Sequence, residues 1–115
     1  MENFDVQTTD TPNGTRVLTL TGALTLKVLF EFQSLLRKET EHNLIVDLSQ
    51  VSYMDSAGLG AILGAYASCE RSGRKFAVAG TSDRVKTLFE VAGVGTMLPQ
   101  FDSLDAAEKS LAAAK

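Results

Sequence analysis

Asp55-Ser56-Ala57-Gly58 places a carboxylate and a hydroxyl beside two residues with little or no side chain, directly ahead of Leu59-Gly60-Ala61-Ile62-Leu63. The chemistry such a serine invites is nucleophilic attack, which needs a neighbouring base. The local pattern lacks the first glycine of G-x-S-x-G, and the chain's one histidine, His42, precedes the serine. The order Ser…Asp…His of the hydrolases built around that elbow is therefore impossible, and His42 reads as a residue of a solvated turn. Gly58, Gly60 and Gly64 miss the G-x-G-x-x-G spacing by one residue, and no G-x-x-x-x-G-K-[ST] occurs, so neither phosphate-binding fingerprint is present. One Cys, one His and scattered carboxylates give no metal-ligand pattern. Asp47 and Asp55 could flank Ser56, but acids at a strand end and a helix cap are usually structural. The expectation is a protein that is not an enzyme and needs no cofactor or metal.

The elements around Ser56 determine what it can do. Leu44-Ile45-Val46 is a short continuous apolar run, suited to a strand covered on both faces. Asp55 or Ser56 then supplies the N-cap oxygen of the following helix, which puts Ser56 at an exposed strand-to-helix junction near a positive dipole end. That helix holds no Asp, Glu, Lys or Arg from Ser56 to Cys69. Its spacing predicts a core stripe of Leu59, Ile62, Leu63 and Tyr66. The opposite side would carry Ala57, Gly60, Ala61, Gly64, Ala65 and Ser68, a smooth face without charge. Glycine inside a helix costs roughly 0.8–1 kcal/mol relative to alanine, so Gly60 and Gly64 are poor choices for stability alone. Either the helix is wedged between the sheet and a neighbouring helix, or a partner docks flat on the small face beside Ser56, and both can hold.

At 115 residues the chain is long enough for one domain with a real core. A hydrophobic fraction of 44% with 7% aromatic is ordinary for a globular protein. The net charge of −3 and the lack of a Lys/Arg cluster speak against nucleic acid as a partner. The start, Met-Glu-Asn-Phe-Asp, lacks the basic and apolar regions of a signal peptide. The uncharged stretch 56–69 is too short to span a bilayer, which takes about 20 residues. A single cysteine, Cys69, permits no internal disulfide. A cytoplasmic protein without a membrane partner is expected.

Along the chain, residues 3–9 alternate as a half-exposed strand, and Asn13-Gly14 is a favoured hairpin dipeptide leading into a second strand over 15–21. Gly22 is expected to break that strand. Leu26, Leu29, Phe30, Gln33, Leu36 and Arg37 follow helical spacing to about Thr40, with Leu26, Leu29, Phe30 and Leu36 toward the core. Further strands are expected at 43–48, 75–79 and 97–101, and helices at 56–72, after Thr81-Ser-Asp83, and at 103–115. This alternation predicts an α/β domain with a mostly parallel sheet of four to five strands, an antiparallel N-terminal hairpin strand and about four helices.

At Asp47-Leu-Ser-x-Val-x-Tyr-Met-Asp55-Ser56-Ala57-Gly58-Leu59-Gly60 the chain closely resembles STAS-domain proteins, specifically bacterial anti-sigma factor antagonists. The opening hairpin, the leucine-rich first helix after Leu20-Thr-Gly22 and the segment Phe76-Ala-Val-Ala-Gly80 extend the resemblance over essentially the whole chain, residues 1–115. It implies a switch. An anti-sigma factor that is a GHKL-type serine kinase binds the unmodified domain and releases its sigma factor. Phosphorylation of the serine matching Ser56 ends that association until a phosphatase acts. The partner-facing residues so implied are Thr25, Asp55, Ser56, Ala57, Gly58, Gly60, Ala61 and Gly64. One departure stands out: the Gly-x-Leu-Asp pattern of many members is here Gly22-Ala23-Leu24-Thr25, without the carboxylate. The alternative is a non-switching STAS scaffold in a larger signalling or transport assembly.

Overall fold

The structure, a computed structural model, describes residues 4–113. Asn3, Ala114 and Lys115, which belong to the expected terminal strand and helix, lie outside the described residues. The chain folds as β1 (Asp5–Asp10), β2 (Thr15–Leu24), a 3-10 turn (Leu26–Val28), α1 (Leu29–Lys38), β3 (Asn43–Met54), α2 (Ser56–Arg71), β4 (Phe76–Ala79), α3 (Asp83–Val91), β5 (Gln100–Phe101) and α4 (Leu104–Ala113). The five strands form one sheet in the order β1-β2-β3-β4-β5. The β1–β2 pair is antiparallel and every later pair is parallel. The hairpin closes as its dipeptide predicts, with Gly14 at φ +80° and its N–H donating to the Thr11 carbonyl at 3.1 Å.

Each crossover leads to the next strand over. Crossovers of one hand, repeated in one direction, put their helices on one side of a sheet. α1, α2 and α3 accordingly share a face, with a core of Leu18, Leu20, Phe32, Val46, Ile62, Val78 and Phe89 among its members. The other face would lie open without α4, which brings Ala107 and Leu111 against Val17, Ile45, Ala77 and Ala79.

The structure corrects the expected boundaries in three places. Gly22 does not end β2; it sits inside the strand at φ +99°, where the β2–β3 register shifts. The glycine absorbs an irregularity that a side chain would resist. β3 does not stop at residue 48 but runs to Met54, its second half paired with β2 alone. Exposed Ser49, Gln50 and Ser52 hide that half from an apolar-run reading, although Val51 and Met54 within it are buried in the core. In α1, Leu26 and Phe30 are 68% and 83% exposed, while Phe32 is fully buried. The core side of this helix is Leu29, Phe32, Leu35 and Leu36. The tighter 3-10 turn over Leu26–Val28 advances the helical phase before α1 begins.

Candidate functional site

Asp55 joins two elements. One carboxylate oxygen accepts from the Gly58 N–H at 2.9 Å, which caps α2. The other accepts from the Leu26 N–H at 3.1 Å, which fixes the segment entering α1. The Asp55 N–H donates to the Leu24 carbonyl at 3.3 Å. Of the two candidate caps, then, Asp55 serves and Ser56 is the first residue of the helix. Ser56 is exposed and its side chain makes no hydrogen bond among the described residues. Its hydroxyl stands at the positive end of a 16-residue helix, which favours added negative charge. Gly58 explains how close the helix can start to β2: a Cβ there would collide with the Leu24 carbonyl and come within 2.9 Å of its Cγ.

Exposed apolar side chains lie on the elements that meet at the Asp55 junction. Leu26 and Phe30 project from the start of α1, and Tyr53, 45% exposed, lies three residues before Ser56 on β3. Reading Leu26 and Phe30 as core residues missed this patch. Its signal was present, since Gln33 and Arg37 continue the face begun by Leu26 and Phe30, whereas Leu29, Phe32 and Leu36 define an uninterrupted apolar stripe. Thr25 is half-buried at the head of the 3-10 turn, where its hydroxyl makes no capping bond.

The small face of α2 is divided. Gly58, Ala61 and Ala65 are buried, with Ala61 and Ala65 lining a groove beside α1. Leu63 and Tyr66, expected in the core stripe, are only partly buried. Gly60 and Gly64 are exposed, and a Cβ at either would meet no atom within 4 Å. The expected continuous smooth face is thus narrower: Ala57, Gly60 and Gly64, flanked by Ser56.

The other polar constellation lies at the opposite end of α1. Glu39 is buried, with one carboxylate oxygen 2.9 Å from an Arg16 guanidinium nitrogen and the other 2.8 Å from His42 Nδ1. Asp10 holds the outer side of Arg16 at 2.7 Å. Burial alone would push the Glu39 carboxyl up, but the hydrogen bonds from His42 and the charge of Arg16 outweigh it and hold it below its ordinary value. His42 sits in the bend before β3, partly exposed as expected, and there its ring engages Glu39. Asp47 does not flank Ser56. It is nearly buried in the middle of β3, where it accepts from the Ser49 N–H at 3.0 Å and pairs opposite Ala79. Burial pushes the Cys69 thiol up, which keeps it protonated and inert. Neither a base nor a second acid accompanies Ser56 among these groups, and among the described residues no cluster of three His, Cys, Asp or Glu could hold a metal ion. No helix of the described residues is long and apolar enough to cross a membrane. What the arrangement offers is an unengaged hydroxyl at the junction that Asp55 ties to the start of α1, where Leu26 and Phe30 are exposed.

Known proteins share this architecture. The chain is 32% identical over 74 residues to the anti-sigma-B factor antagonist of Staphylococcus aureus, covering 64% of this chain and 68% of that protein. Among solved structures it superposes on an anti-sigma factor antagonist from Mycobacterium paratuberculosis with a TM-score of 0.86 at 18% identity, covering 95% and 94% of the two chains. It also superposes on the Bacillus cell fate determinant SpoIIAA in its phosphorylated form with a TM-score of 0.71 at 20% identity, over 92% and 99%. These two likenesses establish the shared fold. With the STAS domain model matching residues 5–107, the chain belongs to the STAS domain family.

Proposed function

We propose that this protein is an anti-sigma factor antagonist whose docking to an anti-sigma serine kinase is switched by phosphorylation of Ser56. The observation that carries this reading is the exposed Ser56 hydroxyl, unengaged at the N-terminus of α2, with exposed Leu26 and Phe30 on the segment that Asp55 ties to the same junction. The Staphylococcus relative carries the antagonist name, and SpoIIAA has a phosphorylated form. In the unmodified protein these apolar side chains can be covered by a partner. A phosphate adds about −1.5 to −2 charge beside Asp55, in a surface the partner must desolvate. The helix N-terminus accommodates that charge, so the fold persists while the interface does not. A GHKL-type kinase would supply the phosphate and a phosphatase would remove it, in the cytoplasm, with no cofactor held by this chain.

The test is incubation with a cognate GHKL-type kinase and ATP, followed by mapping of phosphate by mass spectrometry. Modification of Ser56, and none in Ser56→Ala, is expected. Persistent absence of phosphate at Ser56 rejects the switch. The second reading, a non-switching scaffold, is favoured by one feature of the sequence: Gly22-Ala23-Leu24-Thr25 lacks the carboxylate of the Gly-x-Leu-Asp pattern that the resemblance implies. Ser56→Asp separates the two, because a scaffold keeps its partner and a switch loses it.

A further inference from the structure

A groove of about 280 Å³ runs between α1 and α2, from Gly60 near the Ser56 end to Arg37, Arg71 and Arg74 at the other. We infer that this groove binds an acidic peptide segment of the protein partner that covers Ser56, its small residues over Gly60 and Gly64 and its carboxylates toward the arginines. The inference rests on the reading of Ser56 as part of a docking surface and extends that surface along α2.

Charge and shape support it from different sides. Arg37 and Arg71 are exposed and form no salt bridge among the described residues. Arg74 is half-buried and donates only to neutral acceptors, the carbonyls of Glu39 and His42 at 3.2 Å and the hydroxyls of Ser68 at 3.2 Å and Ser72 at 2.7 Å. The carboxylate that lines the groove, Glu39, is already held by Arg16 and His42. The groove therefore ends in uncompensated positive charge on a chain of net charge −3. Arginines in the last turns of α1 and α2 suit the helix dipoles, which accounts for their sign but not for the open channel leading to them. Gly60 and Gly64 line that channel where a Cβ would meet nothing within 4 Å. No packing demand within the fold calls for glycine at either position, although each weakens the helix. Their absent side chains let another backbone approach closely.

Peptides selected from a random phage-displayed library against the full chain provide the probe. Acidic sequences are expected to be enriched, to shift the amide resonances of α1 and α2, and to lose affinity roughly tenfold or more against Arg37→Glu/Arg71→Glu. Gly64→Leu should abolish their binding by filling the channel, while Gly64→Ala serves as a folding control that the geometry tolerates. The same peptides should bind Ser56→Asp unchanged, because they occupy the groove and not the serine. Enriched peptides without acidic bias, peptides mapping elsewhere, or no enrichment overturn the inference. So does self-association in sedimentation that Arg37→Glu/Arg71→Glu removes, or co-sedimentation with anionic phosphatidylserine vesicles that this variant removes, since either assigns the groove to a different occupant. If Ser56 proves unmodified by kinase while acidic peptides still map to the groove, the switch fails and the groove stands.

Discussion

The two ends of α1 are built on opposite rules. At its C-terminal end, Glu39, Arg16, His42 and Asp10 satisfy one another, and Arg74 spends its donors on backbone and hydroxyl oxygens. At the other end, Leu26 and Phe30 stand in solvent on the segment that Asp55 ties to the start of α2, where Ser56 is unengaged. Exposed large apolar groups gathered in one place mark a surface meant to be covered, whereas a saturated ionic cluster marks one meant to hold. The contrast teaches that the buried ionic side of the C-terminal end is committed to stability, whereas recognition is left to Ser56 and its neighbours at one end and to the exposed Arg37 beside the groove at the other. Between the two ends, Asp55 and Gly58 belong to both tasks, since they lock the start of α2 onto β2 and α1 and thereby aim Ser56 outward.

That division can be broken most severely at its rigid joint. Gly58→Ala forces a methyl against the Leu24 backbone, which cannot yield as a side-chain tip could. A loss of about 3 kcal/mol in urea denaturation is expected, and wild-type stability in this variant would show that the close approach is not needed. Next is the saturated cluster. Glu39→Gln removes charge-assisted bonds to Arg16 and His42 and should cost about 2 kcal/mol near neutral pH. Because the folded-state value of Glu39 is depressed, its contribution is full above the ordinary carboxyl range and is lost as pH falls through the lower folded value. Wild type and Glu39→Gln should accordingly converge in stability as the solution is acidified below about pH 4. Parallel curves over that range would remove Glu39 from the account.

A smaller effect is expected for Asp55→Ala, which deletes the cap on α2 and the tie to Leu26. The cost should be about 1 kcal/mol, accompanied by faster amide exchange at Gly58 and Leu26 in particular. The smallest change in stability belongs to the open end. Phe30→Ser should lie within about 0.5 kcal/mol of wild type, since the ring touches little that folding buries. Its affinity for a cognate kinase should nevertheless fall about tenfold or more, as truncating an aromatic anchor does. If instead Phe30→Ser unfolds the protein or leaves kinase affinity intact, the separation of the two ends is wrong.

Much of the architecture was written in local signals. Asn13-Gly14 specified the hairpin, Gly73 at φ +72° follows the end of α2, and Ser82 caps α3 from within Thr81-Ser-Asp83. The position of Ser56 at a strand-to-helix junction was equally legible, because a buried apolar strand, a capping acid and an uncharged helix are each short-range patterns. The C-terminal half of β3 was not, since its polar side chains carry no period that distinguishes a paired strand from a loop. Nor was the role of Gly22, because glycine reads alike at a strand end and at a bulge until the partner strand is in place.

From the sequence alone came the α/β alternation and the junction bearing Ser56, both matters of residue type and spacing. Only the tertiary structure decided which apolar residues lie outside. Leu26 and Phe30 differ from Leu29 and Phe32 by phase and not by chemistry, and the phase is set by a tight turn and by where α2 lies. It also decided that Ala61 and Ala65 are buried while Gly60 and Gly64 are exposed along the same groove, since burial on a helix of small residues depends on the neighbour packed against it and not on the residues themselves.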